Sequence, residues 1–161
     1  MTFTSLILTI ASVLTALSAG FFFTWSVSIV SGLGRLSDVG YISAMQAINR
    51  AVQNPLFFLV FFGPTILLPF ASFLNYAQTT RFRLLIVASV IYLGGVIGVT
   101  VLGNVPMNNK LDAFDPDSAT NQTMATERTN YEGRWNTLNH IRTVSSTLSI
   151  VLVIIACLKQ D

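Results

Sequence analysis

"RWNTLNHIRTVSSTLSIVLVIIACL", residues 134–158, decides how this chain folds. Its second half is a run without charge, and its first half holds Arg134, Arg142 and the only histidine, His140. At about 100° per residue, Trp135, Asn139, Arg142, Ser146 and Ser149 share one helical face. Asn136, His140, Thr143 and Thr147 occupy the adjoining face, while Ile141, Val144, Leu148, Leu152 and Ile155 form an apolar stripe opposite. Such a helix has a lipid side and a polar side, and the polar side must face other helices or a wet cavity because lipid offers no hydrogen-bond partners. The charge-free run from Thr143 to Leu158 covers only about 24 Å at 1.5 Å per residue, short of a bilayer core of roughly 30 Å. The helix therefore starts earlier, which places Arg142 and His140 at or just below the membrane interface.

Outward from this stretch the same pattern recurs. No charge occurs from Met1 to Gly34, from Ala51 to Thr80, or from Leu84 to Asn109. Each gap exceeds the roughly 20 apolar residues a membrane helix needs. Hydrophobic residues make up 52% of the chain and charged ones 10%, against about 25% charged in soluble domains. The expected fold is all-α: one domain, residues 1–161, forming a four-transmembrane-helix bundle with spans near 3–30, 55–76, 84–102 and 139–158. The N-terminus lacks the basic start of a signal peptide and reads as a retained first helix.

Four spans place the 1–2 and 3–4 connections on one side, where they form a polar cap. "SGLGRLSDVG" breaks the first helix. "YISAMQAINRAVQ" then gives a short amphipathic helix, capped by Ser37 or Asp38, with Met45 and Ile48 inward and Gln46, Asn49, Arg50 and Gln53 on its polar stripe. Pro55 suits a helix first turn. In "GNVPMNNKL", Asn104 and Asn108 flank Pro106, where a turn is expected. The asparagines either cap that helix end or offer amides to the same mouth as Asn139.

The net charge of +2 and the absence of a basic cluster exclude a nucleic-acid surface. A lone Cys157 and a lone histidine leave no set of metal ligands, so no metal is expected. Trp25 and Trp135 fit aromatic-belt anchors, and Arg142 fits either a functional group or a side chain that snorkels to headgroups. The compact, acid-free turn with Arg81 and Arg83 favours both termini in the cytoplasm, in a plasma membrane.

Four motifs, "AGFFFTWSVSIVSGLGRL", "AMQAINRAVQNPLF", "GNVPMNNKLDAFDP" and "WNTLNHIRT", resemble the anthrone oxygenase-like family of small membrane proteins. The resemblance spans nearly the whole chain, with Ser31 standing where relatives carry proline. It implies four membrane helices and, for some members in polyketide pathways, oxidation of an anthrone to an anthraquinone without metal or flavin. Matched motif residues include Met45, Gln46, Asn49, Asn54, Pro55, Asn104, Pro106, Asn108, Trp135, Asn139, His140 and Arg142. On this reading the chain is a cofactor-independent monooxygenase: His140 is the base, Arg142 and Asn139 with Asn104 hold the oxyanion, and Trp135 stacks on the substrate ring. Asn108, Gln46 and Asn49 complete a binding site for a small lipophilic aromatic ketone. The alternative is a non-catalytic accessory subunit, or a lipid- or quinone-binding component of a larger membrane complex.

Overall fold

The computed structural model describes residues 2–159. It holds five helices and no strand among them. Four are long and apolar enough to cross a membrane: α1 (Phe3–Leu33), α3 (Pro55–Leu74), α4 (Thr79–Asp112) and α5 (Asn121–Leu158). These mark a membrane protein. The fifth, α2 (Asp38–Ala51), is short and amphipathic. The side on which the chain ends lie concerns Met1 and Asp161, outside the described residues.

Local chemistry sets the helix starts. Thr2, Ser37, Asn54 and Thr120 each accept a backbone N–H from three residues on, at 3.0–3.3 Å, satisfying donors that a first turn leaves orphaned. Of the two expected caps for α2 it is Ser37 that serves. Pro55 follows Asn54 at the first helical position, where its missing N–H costs nothing.

The four long helices form a ring in chain order, α1 beside α3, α3 beside α4, α4 beside α5 and α5 back against α1. Two glycines set the closest approaches. A Cβ at Gly95 would land on Ser145 Oγ, and one at Gly63 would land on the Leu14 side chain. Small residues let membrane helices approach this closely. The half of the bundle away from the cap is filled by Leu8, Ala11, Leu68, Ala71, Leu85, Ala88, Val153 and Ala156, all buried. Several of its polar groups are paired: Tyr92 Oη lies 2.7 Å from Ser18 Oγ and donates to the Phe61 carbonyl, and Ser149 donates to the Ala88 carbonyl.

The cap forms over the other end, as the four-span topology requires. Tyr41, Ile42 and Met45 of α2 pack with Leu111, Tyr131 and Trp135. Burial pushes the Tyr41 phenol above its ordinary range, so it stays neutral beneath the Arg128 guanidinium, 4.6 Å from its ring centre.

The connection between α4 and α5 is Ala113–Thr120, because both helices continue into the cap. One expectation about this end is corrected: no turn occurs at Pro106. The helix passes through it by widening to π-helical register over Thr100–Asn104. Proline has no N–H and its ring crowds the carbonyl four residues back. The wider register accommodates both problems without breaking the helix.

Candidate functional site

Between the cap and the packed half of the bundle lies a cavity of about 230 Å³. Its wall is aromatic. Phe21 and Trp25 come from α1, and Phe57, Phe58, Phe61 and Phe62 from α3. Phe57 and Phe61 stack with ring centres 5.4 Å apart and planes 13° apart. Trp25 and Trp135 meet at 4.9 Å and are 5% and 3% exposed, so neither is a belt anchor. The polar floor comes from Thr100, Asn104 and Asn108 on α4 and Arg142 on α5.

Residue periodicity explains the floor. Tyr131, Trp135, Asn139, Arg142, Ser146 and Ser149 are all buried on one face of α5, as the spacing predicts. Arg142 does not snorkel. It is 7% exposed, with its guanidinium carbon 4.7 Å from the Phe22 ring centre and 5.2 Å from that of Trp135. Its Nη2 donates to Asn139 Oδ1 at 2.9 Å, and Nη1 makes a long 3.5 Å contact with Thr100 Oγ1. No carboxylate pairs with it among the described residues. Its Nε has no partner at all, and neither amide atom of Asn104 has one, although Asn104 is 1% exposed. Each buried unpaired polar group costs on the order of 1–3 kcal/mol, so three unpaired atoms around one cavity require an explanation.

The neighbouring polar groups, by contrast, are all engaged. Asn139 is fully buried behind the cavity, donating to Ser26 Oγ at 2.9 Å and toward the Phe22 carbonyl at 3.4 Å while its oxygen holds Arg142. It positions the guanidinium and does not line the cavity. Asn108 Oδ1 accepts from Tyr131 Oη at 2.8 Å and Trp135 Nε1 at 3.0 Å. Asn49 faces the cavity and donates to Tyr131 Oη at 3.3 Å. So Arg142 shares a cavity end with Asn104 and Asn108, with Asn139 behind it, and neither Arg142 nor Asn139 makes a hydrogen bond to those two asparagines.

Two expected site residues are placed elsewhere. His140 is exposed and does not line the cavity. It is one residue, about 100°, past Asn139, which turns it out of the bundle. The role of base in the cavity is therefore not one this side chain is positioned to fill. Gln46 is buried outside the cavity, its Nε2 donating to the Leu111 and Phe114 carbonyls at 2.8 Å each. It ties α2 to the end of α4 and does not contact a ligand space. No group of three or more His, Cys, Asp or Glu side chains stands together as metal ligands among the described residues.

Residues that the sequence reading did not assign to the site are Thr100, Tyr131, Phe22, Trp25 and the α3 phenylalanines. Thr100 had a signal, as a polar residue inside an apolar run. The phenylalanines had none, since a Phe that lines a cavity and a Phe that faces lipid look alike in a span.

A family model described as anthrone oxygenase matches residues 57–152, more than half of the chain. The chain belongs to the anthrone oxygenase family. No curated protein and no solved structure matches it. The matched stretch runs through α3, α4 and most of α5, and so contains Asn104, Asn108, Trp135, Asn139 and Arg142. The α1 wall with Phe21 and Trp25, and all of α2, precede it.

Proposed function

We propose that the cavity binds a flat, hydroxylated aromatic ketone of the anthrone type and oxidises its ring-flanked methylene with dioxygen. The observation that carries this reading is that Arg142 and Asn104 line the same cavity as the aromatic wall while Arg142 Nε and the Asn104 amide lack hydrogen-bond partners. A planar aromatic fills the space between Phe57, Phe61 and Trp135, and its oxygen supplies the acceptor that the floor lacks. Loss of a methylene proton moves negative charge onto the carbonyl oxygen. The Arg142 fork and Asn104 Nδ2 favour that charged form over the neutral ketone, which is the differential stabilisation catalysis needs. The electron-rich ring carbon then reduces dioxygen and bonds to it as a hydroperoxide. Loss of water leaves a second carbonyl, so CH2 and O2 become C=O and H2O with no other reductant. His140 is not the base. The proton passes to water at the cavity rim, beside the exposed Gln53 and Asn109.

The test is quinone formation and oxygen uptake from a hydroxylated anthrone, with protein in lipid nanodiscs and protein-free discs as the control for spontaneous oxidation. The expected result is turnover that Arg142→Lys removes, because a point charge cannot replace the planar fork. Binding of the anthrone with no turnover above the control would contradict the oxygenase reading and leave a binding protein.

A further inference from the structure

The cavity has two boundaries of unlike construction. Toward water, the cap is held by a set of polar ties, with an exposed rim at Gln53 and Asn109. Gln46 donates to two carbonyls at the end of α4, and Arg50 pairs with Asp112 at 2.6 Å. Arg128 reaches Asp38, Glu132 and the carbonyls of Gly34 and Leu36 at 2.7–3.1 Å. Tyr41, Ile42 and Met45 beneath them are at most 2% exposed.

Toward the bilayer, nothing comparable closes the wall. Phe58 and Phe62 of α3 and Val101 and Val105 of α4 line the cavity, yet they are 41–50% exposed on the outer surface of the bundle. The same cavity touches Asn104 and Arg142, which are almost wholly buried. It therefore runs from the interior out to the lipid-facing surface between α3 and α4. Helix packing gives the cause. α3 packs along the Thr79–Tyr92 part of α4, while above it α4 takes two π-helical segments, Leu93–Gly98 and Thr100–Asn104. Changes of helical register of this kind redirect a helix.

We propose that the substrate reaches the cavity from the bilayer, through a side opening between α3 and α4 framed by Phe58, Phe62, Val101 and Val105, and not through the polar cap. This rests on the reading of the cavity as a site for a flat aromatic ketone. It narrows the substrate class to molecules that partition into lipid. An oxygen at one edge of the ring system would meet Arg142 and Asn104 last, after the rings have passed the phenylalanines. The upper rim of the opening, Gln53 and Asn109, is polar and exposed, which suits a molecule resting at the interface with its hydroxyls toward the headgroups.

The experiment uses a dihydroxyanthraquinone as probe, mixed rapidly with the full chain in nanodiscs, with quenching of Trp25 and Trp135 as the signal. Val101→Phe and Val105→Phe, each on the exposed surface, are expected to slow association and dissociation together, by about fivefold or more, as a narrowed passage does. Gln46→Ala and Asp112→Asn, which loosen the cap and touch no part of the cavity, are expected to leave both rates unchanged. Faster binding in the cap variants with unchanged rates in the valine variants would overturn the bilayer route. No saturable quenching of the wild-type chain would be a different failure. It would remove the aromatic-ketone reading itself, and the route with it.

Discussion

Two arginines, one at each end of the bundle, show how the same side chain can be a fastener or a site. Arg81 sits in the first turn of α4, at the end away from the cap. Its Nε donates to the Ala156 carbonyl at 3.0 Å, Nη1 to Asn75 Oδ1 at 3.2 Å and Nη2 to the Lys159 carbonyl at 2.5 Å. A cation here meets carbonyls that the C-terminus of α5 leaves unpaired and the negative end of its dipole. Every nitrogen of that fork has a use in the folded chain. Arg142, at the cap end, is more deeply buried and less well partnered: one good hydrogen bond, one long contact, two aromatic faces and an idle Nε. A fold seeking only stability would have paired Arg142 with a carboxylate or put a leucine in its place, since replacing buried ionic groups by apolar ones is often neutral or favourable. The packing around Arg81 is complete in itself, whereas that around Arg142 leaves Nε without a partner, which the proposed ligand would supply.

Substitutions at the two arginines should separate these roles. The largest effect belongs to Arg142→Lys, expected to lower quinone formation by about 10²-fold or more, the usual loss when an oxyanion donor is removed. Its folded yield in detergent should stay close to wild type. Arg81→Ala should do the reverse: about 2–3 kcal/mol of stability lost with its charged hydrogen bonds, read as a lower midpoint of thermal unfolding, and turnover per folded molecule unchanged. Gly95→Ala tests packing alone. The added methyl meets Ser145, so stability should fall by about 1–3 kcal/mol, with little effect on ligand affinity. The smallest effect is expected for His140→Ala, whose side chain points out of the bundle. Stability should stay within about 0.5 kcal/mol, and oxygen uptake should match the wild-type rate. A large loss of turnover there would return His140 to the mechanism.

The contrast between the two ends also marks what the sequence could disclose. Four charge-free runs and the five-residue pattern Trp135, Asn139, Arg142, Ser146, Ser149 opposite Val144 and Leu148 make the bundle and the inward face of α5 legible, because burial along one helix follows its period. What periodicity cannot decide is which of two adjoining polar faces meets a neighbour. Asn139 and His140 were equally polar, and only the packing of α1, through Ser26 and the Phe22 carbonyl, selects Asn139. Gln46 falls on the polar stripe of α2, and its partners, the carbonyls of Leu111 and Phe114, belong to a helix end whose position the sequence does not give. Pro106 predicts a turn because proline rarely continues a helix, and the π-helical segment that lets it do so has no residue signature. The bare Asn104 amide was likewise invisible. An asparagine beside a proline looks like a cap until the structure shows that it caps nothing.

The most direct measurement is therefore on Asn104, whose two amide atoms the fold leaves unpaired. Asn104→Leu keeps the side-chain size and removes the polar group. Thermal unfolding and anthraquinone binding should be followed on the same preparation. If the floor is held open for a ligand, the midpoint of unfolding stays level or rises, since a buried unpaired amide has gone, while affinity falls by about tenfold, the value of one hydrogen bond to a bound oxygen. A variant that unfolds at a lower temperature and binds the probe as well as wild type would contradict this account, because Asn104 would then serve the fold and not the site.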